Sequence, residues 1–225
     1  MSACQSKPFP KITASPDIRQ LVSTESDAVV VLFNNLDAVV GDSATGAEGS
    51  RCTFAEIVRR HLAINKAFGK EVAVLPEPSV SGGRLVLAPT DSLNDDTDDV
   101  RKIRDAVKAG IEKAIAAGSR RPVLFLPESP PQPTELPDAD YSRWVDVALL
   151  AALGVSYVTL MVREFNESRY GTNDSQPMNE KLDSICVVVS GHSEHELRAI
   201  VKRVVALEKG RRLCQGKCED RQISR

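Results

Sequence analysis

The chain has 225 residues, of which 42% are hydrophobic, 27% charged and only ten aromatic, with a formal net charge of −2. This is an ordinary soluble globular composition, which excludes collagenous, disordered and disulfide-scaffold classes, and the length suits one large domain or one domain with an appendage. A core built mostly from Val, Leu, Ile and Ala suits layered α/β architecture and argues against an aromatic surface for stacking single-stranded nucleic acid. The near-neutral charge excludes a uniformly basic polyanion binder but hides an asymmetry. Arg198 to Arg225 holds nine Lys or Arg against three acids, a segment charge of +6, which leaves −8 on residues 1–197.

The N-terminal stretch Met1 to Ser26, broken by Pro8, Pro10 and Pro16, lacks the apolar run of a signal peptide and reads as a mobile leader. No stretch approaches the roughly 18 apolar residues of a membrane span. The five cysteines, Cys4, Cys52, Cys186, Cys214 and Cys218, are odd in number and scattered, which suits a reducing compartment, so a cytoplasmic location is expected.

Asp27 to Phe33 is a short continuous apolar run, the pattern of a strand buried on both faces. Gly41 to Ser50 reads as a loop. Thr53 and Glu56 have the capping-box spacing for a helix running toward Gly69 with Phe54, Ile57, Val58, His61, Leu62 and Phe68 along one stripe. Strands are predicted at Val72 to Leu75 and Arg84 to Ala88, separated by a turn containing Gly82 and Gly83. Val100, Ile103, Val107, Ile111 and Ile115 mark a second helix that Gly118 closes. Pro122 to Leu126 is a further strand, and Glu128 to Pro137 a proline-rich connection. A third helix is expected from Asp138 or Asp140, with Tyr141, Trp144, Val145, Ala148 and Leu149 on one face. Val155 to Val162 reads either as a strand or as a continuation of that helix. Asn166 to Lys181 reads as a loop and Ser184 to Val189 as the last strand. Ser193 and Glu196 then open a helix with Leu197, Ile200, Val201, Val204 and Leu207 toward the core. The alternation predicts a three-layer α/β domain with a mostly parallel or mixed central sheet flanked by helices.

Candidate chemistry is sparse. Asp91 to Asp99 contains five aspartates, but the register of a calcium loop is not met, and capping of the helix at Val100 explains them. His192 and His195 are spaced like a helical metal pair, yet His192 precedes the cap Ser193 and no third histidine is near; His61 falls within a helix stripe. Gly41 and Gly46 have the gap of a phosphate loop, but Ala47 and Glu48 stand where a lysine and a hydroxyl are required. Gly82 and Gly83 precede a strand, the wrong context for a dinucleotide loop. Cys214 and Cys218, beside Arg211, Arg212 and Lys217, read as an incidental pair in a frayed tail. Lys202, Arg203, Lys209, Arg211 and Arg212 lie where cations complement a helix dipole and need no ligand. The residues define a fold but no catalytic, cofactor-binding or metal-binding side chain.

Several runs together carry a resemblance: Asp27-Ala-Val-Val-Val-Leu-Phe, Arg84-Leu-Val-Leu-Ala-Pro, Asp98-Asp-Val-Arg-Lys-Ile-Arg-Asp-Ala-Val with its Gly118 stop, Arg121-Pro-Val-Leu, Ala148-Leu-Leu-Ala-Ala-Leu and Val205-Ala-Leu-Glu-Lys-Gly-Arg-Arg-Leu. In their order they resemble the N-terminal domain of the leucyl aminopeptidases, the cytosol aminopeptidase family, and most of all its invertebrate members, over residues 27 to 213. The resemblance implies a macro-like domain over 27–192 and a connecting helix and divergent basic tail over 193–225. The family's catalytic domain, which holds two divalent metals (Zn, Mn or Mg) that activate the attacking water, would lie elsewhere. Asn35-Leu-Asp37-Ala38 resembles the start of the family's Asn-Thr-Asp-Ala-Glu-Gly-Arg signature, but Val39 and Val40 stand where Glu and Gly should be, so no site residue is carried over. After Leu213 the chain departs from the family pattern, which implies a truncated product whose connecting helix has lost the domain it meets. The expected role is that of a non-catalytic domain, inactive alone, with the missing catalytic domain or full-length homologous subunits of a hexameric family as partners. Two alternatives stand beside it: a macro-like module for ADP-ribose or a related nucleotide, using the loops at Gly41 to Ser50 and Gly82 to Gly83, and nucleic-acid binding through the basic C-terminal helix.

Overall fold

The computed structural model describes residues 9–17, 25–34, 51–64, 69–91, 93, 98–127, 129–130, 140–159, 161–162, 165 and 180–223. Six strands form one sheet: β1 Lys11–Ser15, β2 Ala28–Phe33, β3 Ala73–Pro76, β4 Arg84–Pro89, β5 Pro122–Leu126 and β6 Ser184–Val189. Four helices accompany them: α1 Arg51–Ile64, α2 Val100–Ala116, α3 Trp144–Ser156 and α4 Glu194–Ile223. The strand order is β1-β6-β5-β2-β4-β3, with every neighbouring pair parallel except the antiparallel β3–β4 edge.

All six residues of β2 are buried, as the unbroken apolar run predicts for a central parallel strand. Its side chains alternate between two cores. Val30 and Leu32 join Val86, Ala88, Leu124, Leu126, Val187 and Val189 on the face covered by α2, α3 and α4. Val29, Val31 and Phe33 join Leu85, Leu87, Val123, Phe125 and Val188 on the opposite face, against Ile57 and Val58 of α1. These are the three layers expected. Gly110 sets how closely α2 approaches: a Cβ there would stand 2.8 Å from Val30 Cγ1 and 3.0 Å from the Ala88 Cβ.

Several expectations need correction. The leader expected over residues 1–26 contains an ordered strand, because β1 finds a parallel partner in β6, with Ile12 opposite Ile185 and Ala14 opposite Val187. Helix α1 begins at Arg51, so Thr53 lies inside it and is not its cap. The third helix begins at Trp144, later than Asp138 or Asp140; Asp140 Oδ1 instead accepts from the Ser142 amide at 2.9 Å in the turn before it. Helix α3 runs through Gly154 to Ser156, and beyond it Tyr157 makes a single bridge to Glu180, so the strand reading of Val155 to Val162 does not hold. The basic tail is no frayed end but the second half of α4.

Candidate functional site

In an open parallel sheet, ligands sit beyond the carboxyl ends of the strands where the chain reverses its direction of travel. Here that point is β2, since the chain leaves it for β3 and β4 on one side and then crosses back to β5 and β6 on the other. Asn34, Thr90, Leu93, Ile103, Ser129 and Trp144 line a cleft at this end, with a cavity of about 20 Å³. That is room for one water molecule. Thr90 is turned to the backbone, its Oγ1 donating toward Phe33 O at 3.3 Å or Asp91 O at 3.1 Å. Beside the start of α2 the Tyr141 hydroxyl is buried without a hydrogen-bond partner. Burial, and then the charges of Asp98 and Asp99, push its pKa up, so it stays a neutral phenol.

The aspartates act as the capping argument requires. Asp99 caps α2, accepting from the Arg101 amide at 2.7 Å, and the buried Asp98 pairs with Lys102 at 2.5 Å. Asp91 occupies the left-handed region at φ 59°; Asp95 and Asp96 lie outside the described residues. The two histidines are not brought together as ligands. The His192 ring meets Trp144 edge-on at 6.2 Å, while His195 is exposed in the first turn of α4. His61 Nδ1 turns to the Ile57 carbonyl at 2.9 Å. Ser193 and Glu196 form the predicted reciprocal cap, with the Ser193 amide donating to Glu196 Oε2 at 2.8 Å and the Glu196 amide to Ser193 Oγ at 3.3 Å. Those hydrogen bonds hold the Glu196 carboxyl below the usual glutamate range. Among the described residues no three or more His, Cys, Asp or Glu gather as metal donors, so the pair of metals implied by the resemblance finds no donor set there.

Gly82 and Gly83 belong to the opposite end of the sheet, before β4. A Cβ on Gly82, at φ 65°, would stand 2.0 Å from the Asp27 carbonyl oxygen. The glycine is required by close backbone packing, and no nucleotide loop forms at this position. The loop at Gly41 to Ser50 and the near-signature at Asn35 to Ala38 lie outside the described residues. Cys214 is an exposed thiol on α4, and none of the described helices is long and apolar enough to cross a membrane.

What the sequence reading missed are two charged clusters. The Asp27 carboxylate accepts from Ser119 Oγ at 2.5 Å, the Arg120 amide at 2.8 Å and the Arg121 amide at 3.0 Å, tying the start of β2 to the turn before β5. On α4, Arg211 and Arg212 both bind the buried Glu208, at 2.6 and 2.7 Å, and Arg212 also pairs with the buried Glu180. Arg212 also donates to Leu153 O at 3.2 Å, and Ser156 Oγ to Glu180 Oε2 at 2.9 Å. The Arg212 guanidinium lies 4.7 Å from the Phe9 ring centre and 5.0 Å from that of Tyr157. With Arg203 on Asp146 at 2.6 Å and Arg198 on Glu194 at 2.6 Å, much of the tail's positive charge is answered from within the chain. The spacing of Glu208 with Arg211 and Arg212, three and four residues on, was the available signal.

No protein-family model matches the chain. A Caenorhabditis elegans protein named "Putative aminopeptidase W07G4.4" is 30% identical over 188 residues, which is 83% of this chain and 31% of that protein. The chain thus spans about a third of the length of this curated relative. A mutant of tomato leucine aminopeptidase superposes with a TM-score of 0.56 at 12% identity, over 90% of this chain and 37% of its own. A Trypanosoma brucei macrodomain superposes with a TM-score of 0.48 at 14% identity, over 84% of this chain and 65% of its own. By sequence and by fold, the chain is related to the macro-like N-terminal domain of the leucyl aminopeptidases.

Proposed function

We propose that the chain is a non-catalytic domain of a leucyl-aminopeptidase-like protein, one that helps assemble the oligomer and walls the approach to an active site carried by other parts of the protein. The observation that carries this reading is the extent of the similarity, which runs along 83% of this chain but only 31% of the aminopeptidase-like relative. The chemistry of the domain agrees with it. The buried carboxylates Asp98, Asp146, Glu180 and Glu208 each face a lysine or arginine, and a carboxylate already engaged with a cation is a poor metal donor or general base. Removal of N-terminal amino acids would belong to the larger protein, with this domain shaping which peptides reach the site. The purified chain, given manganese and a chromogenic leucyl substrate, should release no product above the buffer rate. Metal-dependent turnover that survives repurification would overturn the proposal.

A nucleotide-binding reading has one observation in its favour, the position of the cleft at the carboxyl ends of β2 and β4. Its cavity of about 20 Å³ is far below the few hundred Å³ of a small-molecule pocket. Calorimetry with ADP-ribose should show no binding heat; saturable heat, abolished by filling the cleft with Ser129→Trp, would move the assignment to this second reading.

A further inference from the structure

Helix α4 buries Leu197, Val204 and Glu208 along one face. Leu207, read from the sequence as a core residue, is 52% exposed and Leu213 70% exposed. The buried row steps by seven and then four residues, so the helical period hands the inward position to Glu208 and turns Leu207 out. Ala206, Gly210 and Cys214 are exposed as well, and a Cβ on Gly210 would meet nothing within 4 Å. At 100° per residue these five positions fall on one stripe.

Two properties of this stripe identify its occupant. The first is its charge. Glu208, Lys209, Arg211 and Arg212 lie within it in sequence, yet all four are drawn toward the body. Both arginines bind Glu208, Arg212 binds Glu180, and the Lys209 ammonium sits 5.7 Å over the Phe9 ring. An apolar seam is left in a segment rich in charge. The second is its symmetry. Leu207 and Leu213 stand three residues either side of Gly210, and Ala206 and Cys214 four residues either side. A two-fold interface requires a patch complementary to itself. With two Gly210 residues in contact and the helices antiparallel, Leu207 of one copy meets Leu213 of the other, and Ala206 meets Cys214.

We infer that this seam binds a second copy of the chain, through antiparallel α4 helices centred on Gly210. A single helix pair falls short of the roughly 1,000 Å² of a stable interface, so the dimer is weak and forms with rising concentration. Sedimentation of the full chain from low to high micromolar concentration should show the average mass climbing from 24.4 kDa toward twice that value. Leu207→Lys and Leu213→Glu should each hold the chain at the monomer mass. The double variant places lysine against glutamate at both ends of the seam and should restore the dimer. Both side chains are exposed, so helix content by circular dichroism should not change. As a second readout, Ala206→Cys should cross-link to Cys214 of the other copy under mild oxidation. A wild-type chain that stays monomeric throughout, or a double variant no better than the single ones, overturns the inference. The test does not depend on the aminopeptidase reading, because it measures no activity.

Discussion

Arg212 shows how a residue of the basic tail becomes structural. Its side chain is 12% exposed and lies between Glu180 and Glu208, whose side chains are 5% and 1% exposed. Removing one member of such a cluster leaves the others charged and buried, which costs far more than the intact cluster contributes. Arg212→Met should therefore lower unfolding stability by about 3–5 kcal/mol in urea. Arg198→Met, which breaks the exposed pair with Glu194, should cost about 0.5 kcal/mol or less. A midpoint for Arg212→Met within error of that for Arg198→Met would show the cluster to be dispensable. The sequence displays these charges but not their pairing, since Glu180 reaches Arg212 across 32 residues and no local spacing encodes that contact. For the same reason the Asp27 carboxylate, bound to groups at least 92 residues away, read only as the polar start of a strand.

At the level of elements, local rules succeeded where one signal was uncontested. Asp99 before a regular apolar period gave the start of α2, and Ser193 with Glu196 gave the start of α4. Asp99→Ala should destabilise the domain by about 1 kcal/mol, because two hydrogen-bond donors of Arg101 lose their acceptor and the cap is gone. Equilibrium denaturation checks it, and no loss would mean that another group takes over the cap. The rules failed where tertiary pairing decides. Strand β1 has no long apolar run and is bracketed by Pro10 and Pro16, positions an edge strand tolerates at its ends. It exists because β6 offers a parallel edge. Gly154 read as a helix stop, but α3 continues past it to Ser156, whose hydroxyl is held by the Glu180 carboxylate.

In the whole molecule, the two ends of the described chain close on each other. Phe9, just before the edge strand β1, lies under Lys209 and Arg212 of α4, and Glu208 sits at the centre of that junction. Burial alone would raise the Glu208 carboxyl, but hydrogen bonds from Arg211 and Arg212 outweigh it and hold the group below its ordinary value of 4.5. A carboxyl lowered in the folded state adds stability that is fully present above its unfolded value and is lost as pH falls through the folded one. The junction should therefore be indifferent to pH from neutrality down to about 4.5 and loosen below it. Hydrogen exchange on acidification should show amides of α4 near Glu208 losing protection before those of β2, β4 and β5, whose burial is apolar and carries no such dependence. In Arg212→Met the carboxyl keeps its burial but loses one of the two cations that outweigh it. The same loosening should then begin at higher pH. If α4 and the central strands instead lose protection together at one pH in both proteins, the junction is part of a single cooperative unit and Glu208 is no separate latch.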